Sequence, residues 1–478
     1  MEQFDGLAAP SPARTPRLGM RMARTTFVVL FLMNMLDYVD RWALTGVLEH
    51  IKKDLQVDDA GLGSLNWFFL ISYSIFGVVM GWAGDRYKRT RLLAIGVGIW
   101  SLATVGTGLA RNIGELRLAR SFLGVGEATY GILAPSILMD LFSRERRARV
   151  LSGFYIAMPL GYALGVAMGG LIAQATGNWR QAFFVVGAPG FAAAVAAYLL
   201  PEPMRGQSEG AENGNSLTAA QPIPATGADY RDLLVNSSYT YTVLGMAAYT
   251  FAFGGLAYWL PTFLKRVRGL DAASAGTLVG VTTLFAAIIG MYGGGWLADR
   301  LAKKNPSALF LVSGLSMLLA APCVVFGLLA PTRWIMPWLF VEQVLMFANT
   351  GPCNAIIANV VMPNMRATAY AINNFFIHFL GDVWSPVLMG YVSDQFGQPS
   401  LMATPIGDAL TKLGFLPQRV ENGLTNLGAG MLVVLPALVL GGIVLLAGVR
   451  HLPREMALMQ ARWRANVAAS ERAQSGST

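Results

Sequence analysis

The chain has 478 residues, of which 54% are hydrophobic and 13% charged, and its net charge is +9. Soluble domains carry about 25% charged residues, so this composition excludes an ordinary water-soluble fold and indicates an all-α integral membrane protein. Cys323 and Cys353 both lie in apolar runs, and three histidines show no ligand-like spacing. A disulfide scaffold and a metal centre are therefore not expected.

Residues 1–24 are polar, with Pro10, Pro12 and Pro16, and read as an N-terminal tail rather than a cleavable signal. Apolar runs of about 20 residues, long enough to cross a bilayer, follow near 25–48, 62–82, 92–110, 116–139, 150–173 and 181–200. Residues 201–232 are rich in Gly, Ser, Asn, Pro and Ala and read as a flexible linker. Six more runs lie near 239–263, 272–297, 307–329, 334–361, 367–393 and 427–449. Twelve transmembrane helices are thus predicted in two six-helix bundles, 25–200 and 233–450, followed by a tail at 451–478. The segment 397–425 has no assignment. The start of the tail, after Arg450, reads as a basic amphipathic helix on the inner leaflet.

With both termini inside, roughly 23 of the Lys and Arg residues fall on the inner side and roughly 10 in outer loops. This bias predicts cytoplasmic termini and explains the net charge through contact with anionic lipid, so no nucleic-acid partner is implied. The expected location is the inner (plasma) membrane, and the expected state a monomer.

The first run carries Asp37, Asp40 and Arg41. A charge at mid-membrane depth costs at least about 2.5–3.5 kcal/mol and normally faces a partner or a water-filled path. The second run ends in Gly81-Trp-Ala-Gly-Asp85-Arg86-Tyr-Lys88-Arg89, and the eighth in Gly295-Trp-Leu-Ala-Asp299-Arg300-Leu-Ala-Lys303-Lys304. The same signature therefore falls at equivalent points of two halves, the kind of repeat on which transporters are built. Two readings stand for Asp85, Arg86, Asp299 and Arg300: basic residues that set topology, or loops that gate by bonding neighbouring helix ends.

These loops resemble those of the major facilitator superfamily, although Lys88 and Ala302 stand where that family's loop has glycine. The fourth run adds a second match, Leu116-x-x-x-Arg120-x-x-x-Gly124-x-Gly126-x-Ala128. In the fifth, Gly161, Gly165 and Gly169 recur every four residues, with Gly170 beside them, a spacing that lets helices approach closely. Val166 stands where the family's antiporters have proline.

At 1.5 Å per residue, Arg41 lies roughly 12 Å below Glu49, between the depths of Arg120 (about 7–8 Å) and Glu127 (about 18 Å). Arg120 and Glu127 are seven apart and share a helix face. In the superfamily the first and fourth helices line the cavity, so Asp40, Arg41, Arg120 and Glu127 can form one network. When ionised they sum to zero, and protonating one carboxylate leaves a positive pocket for an anion. The alternative is that the four only orient two helices. Asp37, four residues before Arg41, is a supporting residue. His378 and Asp382 are also four apart and can pair. The seventh and tenth helices offer Tyr249, Phe251, Phe253, Tyr258, Trp259, Phe347, Asn349 and Asn354, with Glu342 as the acid.

The segments Tyr38-Val39-Asp40-Arg41, Gly84-Asp85-Arg86-Tyr87, Gly124-Val125-Gly126-Glu127-Ala128-Thr129-Tyr130 and Ala134-Pro135-Ser136-Ile137-Leu138-Met139-Asp140-Leu141-Phe142 resemble the spinster branch of the superfamily. Asp37 departs from the asparagine-like residue of that branch. The resemblance implies a non-enzymatic transporter working by alternating access. Its cargo would be a lipid-like amphiphile with an anionic headgroup. Buried carboxylates beside arginines point to a proton gradient as the energy source, and no cofactor is expected. The resemblance carries over Asp40, Arg41, Arg120 and Glu127 as the polar site, with Tyr130 supporting. A symporter of organic anions or a multidrug exporter of the same superfamily is the alternative. A receptor or enzyme would need a signalling domain or a nucleophile–base pair, and an ATP-driven pump a phosphate-binding loop; the sequence shows none of these.

Overall fold

A computed structural model describes residues 19–142, 150–151, 153–203, 231–233, 235–362, 365–420 and 423–475. Eleven of the predicted runs are helices long and apolar enough to cross a bilayer. In chain order they are Met20–Gly46, Asp59–Gly84, Arg89–Leu109, Ile113–Leu141, Gly153–Thr176, Arg180–Leu199, Ser237–Arg266, Ala272–Ala302, Ala308–Leu329, Thr368–Gln395 and Leu427–Gly448. The run near 334–361, tenth in order, differs: it is two helices, Thr332–Phe347 and Thr350–Val360, parted at Ala348–Asn349. Pro352 has no N–H, and its ring would clash with the carbonyl of Ala348 in a continuous helix. The Asn349 amide donates to the carbonyl of Met346 at 2.7 Å, satisfying an acceptor the break exposes.

Helix starts follow from local chemistry. Asp58, Asn112, Asn236 and Asp271 each precede a crossing and accept the N–H three residues on, at 2.8–2.9 Å. The second crossing begins at Asp59, earlier than its apolar run, because this cap and not hydropathy sets the first turn. A short helix, Leu48–Leu55, lies between the first two crossings.

The unassigned segment 397–425 folds as two short helices, Pro399–Met402 and Pro405–Lys412, and a hairpin pairing Gln418–Val420 with Gly423–Thr425. The tail helix is present at Leu452–Ser475. Its Glu455 accepts the N–H groups of Ser237 (3.0 Å) and Ser238 (2.8 Å), so the tail is docked on the start of the seventh crossing. Most of the predicted linker lies outside the described residues. At its start, Glu202 accepts the N–H of Thr90 at 2.9 Å and pairs with Arg89 at 2.9 Å.

The glycines of the fifth crossing seat it on two partners. A Cβ on Gly165 would lie 2.6 Å from the Val39 carbonyl oxygen, and one on Gly170 would lie 2.5 Å from that of Ala272 in the eighth crossing. Packing between the halves runs from the face opposite the termini to mid-membrane. Gly276 and Gly280 of the eighth crossing meet Val166 and Ala163 of the fifth, and Gly63 and Gly390 close the second against the eleventh. Toward the terminus-bearing face, Gly81, Gly293 and Gly295 have nothing within 4 Å of where a Cβ would sit. Among the described residues, the close glycine contacts between the halves thus lie toward the face opposite the termini.

Candidate functional site: a central charge pocket beneath a closed gate

Arg41 is the hub of the pocket. Its Nε donates to Glu127 Oε2 at 2.8 Å, its Nη2 lies 2.6 Å from the same oxygen, and Asp37 Oδ2 is 3.6 Å away. The guanidinium also lies over the rings of Tyr38 (4.7 Å), Phe69 (4.8 Å) and Tyr73 (5.5 Å). Such cation–π contacts are worth about 0.5–2 kcal/mol each, more when desolvated. The Arg41 side chain is 15% exposed, whereas that of Glu127 is fully buried. Arg41 is therefore the charged group of this cluster that an incoming ligand meets first.

Asp40 and Arg120 are buried nearby, yet neither is ion-paired among the described residues. Adjacent residues on a helix point about 100° apart. Arg41 accordingly turns to the second and fourth crossings, while Asp40 turns to the third, where its Oδ2 accepts from Thr104 Oγ1 at 3.2 Å. Arg120 lies 5.0 Å from the Phe69 ring that also meets Arg41, and its Nε and Nη1 have no hydrogen-bond partner. Asp37 Oδ1, Asp40 Oδ1 and Glu127 Oε1 are likewise unpartnered. The structure joins Arg41, Glu127 and Asp37 directly and leaves Asp40 and Arg120 at the edge of the cluster. Tyr130 donates its hydroxyl to the backbone carbonyl of Leu30 and packs edge-on to Trp100, holding the fourth crossing against the first.

Gly124 and Gly126 make this approach possible. A Cβ on Gly124 would lie 2.3 Å from the Phe69 carbonyl oxygen, and one on Gly126 2.6 Å from that of Gly96. The fourth crossing is thus pressed onto the second and third, and Glu127 reaches Arg41.

Above the pocket, a second ionic cluster closes the face opposite the termini. Arg266, at the end of the seventh crossing, pairs with Asp59 at 2.5 Å and with Glu49. Asp59 also takes Lys52 and, at 2.7 Å, the Ser393 hydroxyl. Asp394 accepts the N–H groups of Asp59 (3.1 Å) and Ala60 (2.8 Å), capping a helix of the other half. Burial and neighbouring Lys265 hold the His50 imidazole below its usual range, so it accepts from the Lys265 ammonium 3.4 Å away. Below this layer, Tyr258 donates to the Leu62 carbonyl (2.6 Å) and Asn66 to that of Asp382 (2.9 Å). Sequence reading missed this gate; its signal was an acidic pair, Asp58-Asp59, opening one helix and a basic pair, Lys265-Arg266, ending another.

His378 and Asp382 do pair, at 3.0 Å, in a wide turn where the Val383 N–H reaches the His378 carbonyl. The His378 ring meets Tyr73 at 6.2 Å, so this pair faces the Arg41 pocket from the other half. In the C-terminal half, Tyr249, Phe253 and Phe347 form one aromatic cluster, with centroids 4.9–6.4 Å apart. Trp259 is a packing residue that donates to the Pro386 carbonyl at 2.9 Å.

At the repeated loops, Arg86 lies over Trp82 (4.3 Å) and Arg300 over Trp296 (5.3 Å), the same arrangement in both halves. Asp299 is exposed, and the Asp85 side chain lies outside the described residues. Arg89 is buried between Asp140 (2.6 Å) and Glu202, a contact that ties the loop to the end of the fourth crossing.

A profile of the Major Facilitator Superfamily matches residues 30–386. The chain is 33% identical over 407 residues to protein spinster homolog 3 of Danio rerio, covering 81% of this chain and 80% of that protein. It is 33% identical over 397 residues to protein spinster homolog 1 of Homo sapiens, covering 79% and 74%. Among solved structures, it resembles a bacterial homolog of the human lysosomal transporter spinster in an inward-facing, unoccupied conformation. The TM-score there is 0.71 at 22% identity, covering 94% of this chain and 99% of the other. A D-xylose–proton symporter shares the fold with a TM-score of 0.66 at 17% identity, covering 89% and 97%.

Proposed function

The chain belongs to the major facilitator superfamily, as a multi-pass membrane transporter of the spinster type and not an enzyme, and we propose that it moves a lipid-like amphiphile with an anionic headgroup, coupled to protons. The observation that carries this reading is the half-satisfied Arg41–Glu127 pair, with Arg41 partly exposed and Glu127 buried. An anionic headgroup that binds Arg41 competes with Glu127 for the guanidinium. A carboxylate left buried without its cation is costly, so it takes up a proton instead. Substrate and proton are thereby linked through one arginine. The aromatic cluster of Tyr249, Phe253 and Phe347 in the other half offers an apolar wall of the kind that an acyl chain or sphingoid base requires.

In the proposed cycle the proton gradient is the energy source and no cofactor takes part. The basic bias of the inner loops supports cytoplasmic termini in the inner (plasma) membrane. On that orientation the Asp59–Arg266 layer closes the outer face, and the two bundles, 25–200 and 233–450, rock about the pocket to open and close it in turn. The cycle is written for a monomer.

The test is transport by the purified protein in proteoliposomes, with lysolipids and organic acids offered separately and internal pH recorded. Lysolipid-dependent proton movement is the expected result. Proton movement with organic acids alone would sink the amphiphile assignment.

A further inference from the structure

Glu342, in the tenth crossing, is a buried acid that the central pocket does not use. It is 1% exposed and its Oε1 has no hydrogen-bond partner. It borders a cavity of about 10 Å³, at the lower limit for one water, walled by Tyr162, Phe253, Leu256, Leu260 and Thr283. The groups facing it from each neighbouring helix are neutral. Tyr162 comes from the fifth crossing, Tyr249 from the seventh, Thr283 from the eighth and Cys323 from the ninth, with Gln343 beside it. No Lys, Arg or His lines the cavity. An ionised carboxylate buried alone costs far more than a neutral acid lacking one hydrogen bond.

The cavity is sealed by both halves of the molecule. Tyr162 belongs to the N-terminal half, and its hydroxyl donates to the Ala257 carbonyl at 3.3 Å. The fifth and eighth crossings meet alongside it, at Gly280 and Ala163. This is the closure that the Asp59–Arg266 layer completes. Parting the halves on this face withdraws Tyr162 and admits water to Glu342.

We infer that Glu342 is a second proton-binding site, loaded while the face opposite the termini is closed and discharged to that face when it opens. In the discharge step the O–H bond of the carboxylic acid breaks, and entering water carries the proton away. The closed state holds the extra proton, so acid favours closure and rising pH favours separation. The inference rests on the proton-coupled reading above, but its acid is none of the charged residues of the central pocket.

The test uses full-length protein in lipid nanodiscs. Spin labels at Arg111→Cys and Leu413→Cys report separation of the closed face, since both positions are exposed and the two natural cysteines are buried. Infrared spectra of the same samples report protonated carboxyl groups. Glu342→Gln is expected to lose one carboxylic-acid band and to keep the labels at their closed distance to a pH about one unit higher, a tenfold change in proton activity. Glu342→Asp keeps an acid, so it should retain both a shifted band and the pH response, even if Glu342→Gln folds poorly. An intact band in Glu342→Gln, or a label profile identical to wild type, overturns the inference. Glu127→Gln separates the two readings: unchanged proton flux there would sink the central coupling and leave the Glu342 band in place.

Discussion

Two buried ionic clusters lie within a few helical turns of each other and are built to opposite standards. At the closed face, Asp59 is met by Arg266, Lys52 and Ser393, while Asp394 caps the helix that Asp59 begins. In the central pocket, Asp37, Asp40, Glu127 and Arg120 all leave buried polar atoms without partners. A fully paired buried cluster resists change, because removing one member strands the rest. An under-satisfied one invites a ligand or a proton to complete it. The first behaves as a lock and the second as a binding site, although composition alone would not tell them apart.

The comparison can be broken most forcefully at the lock. Arg266→Ala leaves Asp59 and Glu49 without their shared cation; breaking a buried pair this way costs about 3–5 kcal/mol. The closed face should open, read as faster reaction of a cysteine placed at buried Leu62, just below the layer, with a membrane-impermeant thiol reagent. An unchanged labelling rate would mean that the cluster does not hold the halves together.

Next in size is Arg41→Ala. Hydrogen bonds to charged groups contribute about 1.5–3 kcal/mol, so affinity for an anionic amphiphile should fall about 10- to 100-fold. Binding to the purified, folded protein checks this, and Arg41→Lys should recover only part of the loss because lysine cannot bridge Glu127 through two nitrogens.

Glu127→Gln mimics the protonated acid. Transport by this variant should lose the part of its pH dependence that Glu127 supplies, leaving only the shallower dependence set by Glu342. A wild-type pH profile would remove Glu127 as the coupling group. The smallest effect belongs to the tail: Glu455→Gln weakens one helix cap, at about 1 kcal/mol. It should lower the thermal midpoint slightly while leaving flux intact.

Several parts of this arrangement are legible in the chain because they depend on local periodicity. The rise per residue places Arg41 level with the span between Arg120 and Glu127, and the Arg41–Glu127 contact follows. Asp37 reaches Arg41 because residues four apart share a helix face. The Gly-Trp-x-x-Asp-Arg repeat yields the same arginine-on-tryptophan stack twice. Other features escape that reasoning. Depth does not specify rotation, so the turn of Asp40 toward Thr104 and the isolation of Arg120 could not be read. Hydropathy sees an unbroken run near 334–361, whereas Pro352 divides it.

The sequence alone determined that this protein is a multi-pass helical membrane protein, repeats one half-pattern, and sets a cluster of charges on its first and fourth helices. Each of these depends on length, composition or spacing along one helix. Only the tertiary structure decided which charges are satisfied, because a partner such as Arg266 lies 207 residues from Asp59. It also decided which face is shut, since that depends on how two separately folded bundles lean together. Burial and pairing, unlike periodicity, are properties of neighbours that the chain brings from elsewhere.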